Sequence, residues 1–216
     1  MSGAAAIRIT VLLVDDHAVV REGYRRLLER DLELKVVGEA ASMHEALRID
    51  GDLKPDVVVL DIAMPGVSGI ETLRRLLAHR PQARVLIFSM YQDGIYAAHA
   101  LNAGARGYLS KASAPELLVS AVRSVAGGGR YISPDVQAAM SSHSATAEQL
   151  AHALSSRELE VLRLLAQGYG VEQIAVRLGL SPKTAANHQS SIKQKLGADT
   201  ALQLLLIAQQ FGLTGA

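Results

Sequence analysis

Asp15, Asp16, Asp61, Ser89 and Lys111 bring three carboxylates, a hydroxyl and an amine to the N-terminal part of this 216-residue chain. Each sits at or just beyond the end of a short apolar run. A parallel α/β sheet gathers functional residues at the carboxyl ends of its strands, so stations far apart in sequence can meet in one pocket. The set suits a metal-assisted phosphoryl transfer onto a carboxylate. A carboxylate approaching a dianionic phosphoryl group is repelled by it, so a hard divalent cation on oxygen ligands must bridge the two.

The elements that must position these groups follow from hydrophobic periodicity. Short aliphatic runs alternate with longer amphipathic segments from Ile7 to Ala126, the pattern of βαβ units. Strands are expected at Arg8 to Val14, Leu34 to Glu39, Val57 to Leu60, Arg84 to Phe88 and Gly107 to Leu109. Helices are expected at Val19 to Glu29, Met43 to Asp50, Gly69 to Ala78, Gly94 to Ala103 and Ala114 to Ala126. The result is an α/β doubly wound, five-stranded parallel sheet. Gly66, Gly69, Gly104 and Gly107 read as turn glycines, and no G-x-G-x-x-G phosphate cradle is present.

Composition narrows the class. The chain has no cysteine and no tryptophan, which excludes disulfides, thiolate metal sites and thiol catalysis. The N-terminus lacks a basic stretch followed by a long apolar core, and no apolar run approaches the ~20 residues that cross a bilayer. A cytoplasmic protein without a membrane partner is expected. The formal charge of +1 is spread evenly, so neither half of the chain demands a nucleic-acid partner on charge alone.

Composition breaks at Gly127-Gly128-Gly129, and the stretch to about residue 151 is rich in Ser, Ala and Gly. It reads as a linker, residues 129–151, with some helical tendency. Residues 7–128 then form one domain and 152–216 a small all-α domain. Helices are expected there at Ser156 to Gln167, Val171 to Leu178, Pro182 to Leu196 and Thr200 to Phe211, with Ser181-Pro182 giving an N-cap followed by proline at the first helical position.

These residues carry a resemblance. The acidic pair, Leu60-Asp61-Ile62-Ala63-Met64-Pro65-Gly66, Ser89 and Gly107-Tyr108-Leu109-Ser110-Lys111 resemble the receiver domain of bacterial two-component response regulators. Leu154-Ser-Ser-Arg-Glu-Leu-Glu-Val-Leu-Arg-Leu-Leu-Ala-Gln-Gly168, Leu180-Ser-Pro-Lys-Thr184 and Lys195-Leu-Gly197 resemble the LuxR-type helix-turn-helix. Their order is similar to that of the NarL/FixJ class. The resemblance implies a flavodoxin/CheY-like receiver, phosphorylated on Asp61 by a sensor histidine kinase. Mg²⁺ would be held by Asp15, Asp16, Asp61 and the carbonyl of Ala63. Lys111 would pair with one phosphoryl oxygen and Ser89 would hydrogen-bond another. Ser89 and Tyr108 would form the switch, Tyr108 reorienting as Ser89 is drawn inward. The output would be a homodimer on promoter DNA. His17, beside the acidic pair, reads as positional, because a hard cation prefers oxygen.

Pro182 to Leu196 is the expected recognition helix. Ile192 and Leu196 mark its buried stripe, with Ala185, His188 and Gln189 on or near it. The candidate DNA-binding residues are Lys183, Thr184, Ala186, Asn187, His188, Ser190, Ser191, Gln194 and Lys195: Asn and Gln can read adenine edges, and Lys and Ser can hold phosphates. The chain departs from the family where Ser-Asn-Lys-Glu-Ile-Ala becomes Gly170-Val171-Glu172-Gln173-Ile174-Ala175 and Thr-Val-Lys becomes Thr184-Ala185-Ala186. Two usual positive charges are gone, which leaves open an alternative regulator with weak or no DNA binding that acts through protein–protein contacts. A third reading, an aspartyl phosphatase, needs a second acid two residues after its nucleophile. Ala18 and Ala63 stand at those positions, so the chain is not expected to be an enzyme beyond its own phosphorylation and dephosphorylation. Leu202, Leu205, Leu206 and Gln209 form an apolar strip that the resemblance assigns to dimerisation.

Overall fold

A computed structural model of the chain describes residues 8–64, 67–142, 153–211 and 213. The expected domain start at Ile7, the expected turn glycine Gly66 and residues 143–151 of the expected linker lie outside the described residues. Six parallel strands form one sheet in the order β2-β1-β3-β4-β5-β6: β1 Ile9–Val14, β2 Leu34–Ala40, β3 Val57–Leu60, β4 Val85–Ser89, β5 Gly107–Ser110 and β6 Tyr131–Ile132. Helices α1 Ala18–Glu29, α2 Met43–Leu53, α3 Gly69–His79, α4 Gly94–Asn102 and α5 Glu116–Ala126 alternate with the first five strands. The sheet is doubly wound as expected, but it has six strands, not five. Gly107 and Tyr108 of β5 pair with Tyr131 and Ile132, so a two-residue apolar step inside a Gly/Ser-rich stretch becomes an edge strand. Pro134–Ser142 then forms α6 within the expected linker.

Side-chain choice explains the strands. Val11 to Val14 of β1, all of β3 and Val85 to Phe88 of β4 are buried aliphatic or aromatic residues, as strands covered on both faces by helices require. Leu28 of α1 and Leu118, Ala121, Val122 and Val125 of α5 pack into the same cluster. Two expected turn glycines serve a different purpose. A Cβ on Gly69 would lie 2.4 Å from the carbonyl oxygen of Asp61, and one on Gly107 would lie 2.7 Å from the carbonyl oxygen of Tyr131. Both are close-approach glycines at the start of an element. Gly104, with φ +103°, is a turn glycine as expected.

The described residues fall into two compact units, one holding those up to Gln92 together with Ala100–Gln137, the other Asp93–His99 together with those from Ala138 onward. The second unit contains α7 Ser156–Ala166, α8 Val171–Leu178, α9 Pro182–Leu196 and α10 Ala201–Gln210. Leu159 and Leu162 of α7, Ile174 of α8, Ile192 of α9 and Leu204 of α10 are all buried. Among the described residues no helix is long and apolar enough to cross a membrane.

One buried ion pair braces the end of the sheet opposite the acidic residues. Asp50 in α2 is fully buried and accepts from Arg80 Nε at 3.0 Å, while Arg80 Nη2 donates to the carbonyl of Pro55 at 3.1 Å. Arg80→Ala would leave that carboxylate buried without a counter-charge and should destabilise the fold by about 3–5 kcal/mol. A urea denaturation series that includes the Asp50→Leu/Arg80→Met double variant measures this, and the double variant should recover most of the loss.

Candidate functional site

Strand register builds the pocket. Val14 pairs with Leu60, Leu60 with Ile87, and Ser89 with Ser110, so the residues that follow β1, β3 and β5 emerge side by side at the carboxyl edge. The Asp61 N–H donates to the carbonyl of Val14 at 2.9 Å and the Lys111 N–H to that of Ser89 at 2.8 Å. Lys111 Nζ lies 2.6 Å from Asp15 Oδ2 and 2.6 Å from Asp61 Oδ2. The three side chains are only 8%, 7% and 4% exposed, so these charge-assisted bonds are shielded from water.

Burial pushes the Asp61 carboxyl above its ordinary range, with Lys111 pulling the other way. The same burial works against the charge on Lys111, but Asp61 and Asp15 outweigh it and hold the ammonium above its usual value. A nucleophile must be anionic to attack, so these opposing influences set how readily Asp61 presents a charged oxygen.

The remaining carboxylate oxygens show what else the pocket accommodates. Asp61 Oδ1 accepts from the Ala63 N–H at 3.0 Å and Asp15 Oδ1 from the His17 N–H at 2.8 Å. Asp16 Oδ1 is buried and has no hydrogen-bond donor. That oxygen, with His17 Nδ1 3.1 Å away and the Asp15 carboxylate beside it, suits a hard cation, which satisfies it without a proton. Asp15 and Asp16 thus offer donor atoms within 4.8 Å of one another, while Asp61 meets Asp15 across the Lys111 ammonium and takes the Ala63 N–H.

Ser89 is fully buried, and its hydroxyl accepts from the Tyr91 N–H at 3.2 Å. Tyr108 is also fully buried and donates its hydroxyl to the Tyr91 carbonyl at 2.8 Å. The two expected switch residues therefore share the Tyr91 backbone. Sequence reasoning missed Arg21, which donates to the Asp15 carbonyl and to Glu39 Oε2, the latter at 3.2 Å. Nothing in the spacing of a lone arginine on α1 signals that partner.

In the second unit, α9 starts at Ser181, whose hydroxyl accepts from the Thr184 N–H at 3.1 Å, and ends at Gly197 with φ +64°. Lys183, Asn187, Ser190 and Gln194 are exposed at spacings of four, three and four, which is one continuous stripe of a helix. Ala186 and His188 flank it, half-buried. Burial lowers the His188 pKa, favouring neutral imidazole. Thr184 turns its hydroxyl to Ser181 at 2.8 Å.

Two candidate DNA contacts are tied to α7. Ser191 Oγ donates to Glu158 Oε1 at 2.6 Å and Lys195 Nζ to Glu158 Oε2 at 2.7 Å. Glu158 also closes a capping box with Ser155 at the start of α7. Burial opposes its charge, but the bonds from Lys195, Ser191 and Ser155 prevail and hold its pKa down to about 2. The Ser-x-x-Glu spacing discloses the cap, but not the reach to α9.

Comparison with known proteins finds a family for each of two stretches of the chain. Residues 11–123 match the family described as "Response regulator receiver domain" and residues 152–208 the family described as "Bacterial regulatory proteins, luxR family". The chain is 36% identical over 211 residues to the response regulator GacA of Pseudomonas aeruginosa, covering 96% of this chain and 99% of that protein. It is 40% identical over 196 residues to the transcriptional regulatory protein UhpA of Escherichia coli, covering 91% and 95%. Among solved structures it is similar to RcsB from Salmonella enterica serovar Typhimurium bound to promoter P1flhDC in the presence of phosphomimetic BeF3-, with a TM-score of 0.67 and 28% identity over 94% of this chain and 99% of that one.

Two outcomes follow from the geometry. Mg²⁺ at about 100 times its dissociation constant should raise the unfolding free energy of the wild-type chain by about 2.7 kcal/mol and leave Asp16→Asn unmoved, read as thermal shifts with and without chelator. Glu158 titrates near 2 when folded against 4.5 ordinarily. The unfolded chain therefore takes up this proton first as pH falls. Its stabilisation is whole above pH 4.5 and is lost towards pH 2, so the gap in urea midpoint between wild type and Glu158→Gln should close over that window.

Proposed function

The chain belongs to the response regulators that join a receiver domain to a LuxR-type DNA-binding domain, and on that premise we propose that it is a phosphorylation-controlled transcription regulator with Asp61 as its phosphoacceptor. The observation that carries the proposal is Lys111 Nζ bridging Asp15 and Asp61 at 2.6 Å each. The donor is a phosphohistidine of a sensor kinase. An Asp61 carboxylate oxygen forms the new bond to phosphorus as the P–N bond to the histidine breaks. Lys111 then exchanges an Asp61 oxygen for a phosphoryl oxygen, keeping its Asp15 bond, and the Ser89 hydroxyl turns to donate to a second.

Asp15, Asp16, Asp61 and the Ala63 carbonyl would hold Mg²⁺, which supplies charge neutralisation for the incoming group. Recruiting Ser89 costs its bond to the Tyr91 N–H, and the Tyr108 hydroxyl on the Tyr91 carbonyl carries that displacement into the β4–α4 loop. The output is a homodimer on promoter DNA in the cytoplasm. Leu202 and Leu206 are 65% and 51% exposed on α10, outside the unit's own core, and suit a self-complementary apolar contact.

The stripe of Lys183, Asn187, Ser190 and Gln194 reads the major groove in this account, with Lys183 on phosphate and Asn187 and Gln194 towards base edges. A second reading, a regulator that binds DNA weakly and acts through protein contacts, is favoured by exposed Glu172 in the first turn of α8 and by Lys195 being tied to Glu158.

Intact mass measurement after incubation with a small-molecule phosphodonor and Mg²⁺ should show one added phosphoryl group on wild type and none on Asp61→Asn. A phosphoryl group retained by Asp61→Asn would overturn the assignment. Lys183→Ala should lower the slope of log K against log salt by about one unit across all DNA sequences. Asn187→Ala should cost about 1–3 kcal/mol on a cognate site and little on random DNA. Both are read by fluorescence anisotropy titrations, and a flat salt dependence in wild type would favour the protein-contact reading.

A further inference from the structure

We propose that His17 is a further side-chain ligand of the acidic pocket, so that this pocket binds divalent transition ions such as Mn²⁺ through a nitrogen as well as through oxygens. The proposal rests on the reading of Asp15, Asp16 and Asp61 as a cation site and concerns what this chain adds to it.

His17 Nδ1 lies 3.1 Å from Asp16 Oδ1 and 3.3 Å from Asp15 Oδ1. One donor atom from each of the three residues falls within a sphere of mutual distances below 4.8 Å. Two neighbouring ligands of an octahedral cation at about 2.1 Å sit about 3 Å apart, so the observed separations match adjacent coordination positions. The imidazole nitrogen is within hydrogen-bond distance of Asp15 Oδ1, while the closer contact, to Asp16 Oδ1, is an ion-pair contact without a hydrogen bond, so the same nitrogen faces both carboxylates. Asp15 Oδ1 already accepts from the His17 backbone N–H at 2.8 Å, which anchors the imidazole beside the pocket.

The His17 side chain is 66% exposed, so it joins a cation from the solvent side while Asp15 stays buried. Imidazole suits borderline transition ions and contributes little to Mg²⁺, which favours oxygen and retains water. His17 therefore sets the preference between the two kinds of ion and leaves the oxygen ligands of Mg²⁺ unchanged.

The test uses the full chain loaded with Mn²⁺, which saturating Mg²⁺ must displace to show that both share the pocket. Pulsed EPR of the bound Mn²⁺ should show nitrogen coupling from a directly bound imidazole in wild type and lose it in His17→Gln. In the same variant the ratio of Mn²⁺ to Mg²⁺ affinity should fall at least about tenfold, with Mg²⁺ affinity within about twofold of wild type. His17→Asn provides a second variant. Displaceable Mn²⁺ without nitrogen coupling, or an unchanged affinity ratio, would overturn the proposal while leaving the cation site standing, with His17 as a counter-charge to the carboxylates. No binding of either ion to wild type would overturn both.

Discussion

A single buried ammonium, Lys111, stands between two buried carboxylates, while a third carboxylate, on Asp16, has an oxygen that makes no hydrogen bond and faces the exposed imidazole of His17. Negative charge outnumbers positive charge in a place where water cannot screen it well, and such an imbalance is expensive unless something cationic arrives. The parallel sheet exists, in functional terms, to hold that imbalance steady. Its strand register delivers Asp15, Asp61 and Lys111 to adjacent positions from segments nearly a hundred residues apart. Gly69 lets α3 begin against the backbone of Asp61 and Ile62, where a Cβ would not fit.

The second unit solves a different electrostatic problem. A DNA-reading helix must display polar groups on one face and still be fixed by the other, and α9 achieves this with few large apolar residues. Ala185 and Ile192 are buried, while Glu158 binds Ser191 and Lys195 from α7 and thereby replaces part of the missing hydrophobic contact. Two polar residues of α9 thus serve the fold, which leaves Lys183, Asn187, Ser190 and Gln194 as its exposed polar stripe. Glu172 at the start of α8 further lowers the positive potential offered to phosphate.

Much of this was legible in the residues. The alternation of aliphatic runs and amphipathic segments placed β1 to β5 and their helices, because fully buried parallel strands must be continuously apolar. The chemistry-bearing residues were legible because they follow those runs directly. β6 was not, since two residues between glycines and serines carry no periodicity and pair only because β5 offers an open edge. Gly69 and Gly107 looked like turn residues because sequence cannot distinguish a need for positive φ from a need for space. Arg21 and the reach of Glu158 stayed hidden for a common reason: each depends on which surfaces of two helices or strands face each other, and that is decided by packing after the elements form. The Arg80–Asp50 pair across α2 and α3 belongs to the same class.

The central claim is that charge at Asp61 governs selective DNA binding by α9. Enrichment from a genome-wide pool of DNA fragments, with wild type and Asp61→Asn each tested with and without phosphodonor and Mg²⁺, measures it most directly. The account predicts a defined set of fragments whose recovery rises with phosphodonor in wild type alone. Equal recovery in all four conditions, or none in any, would contradict it.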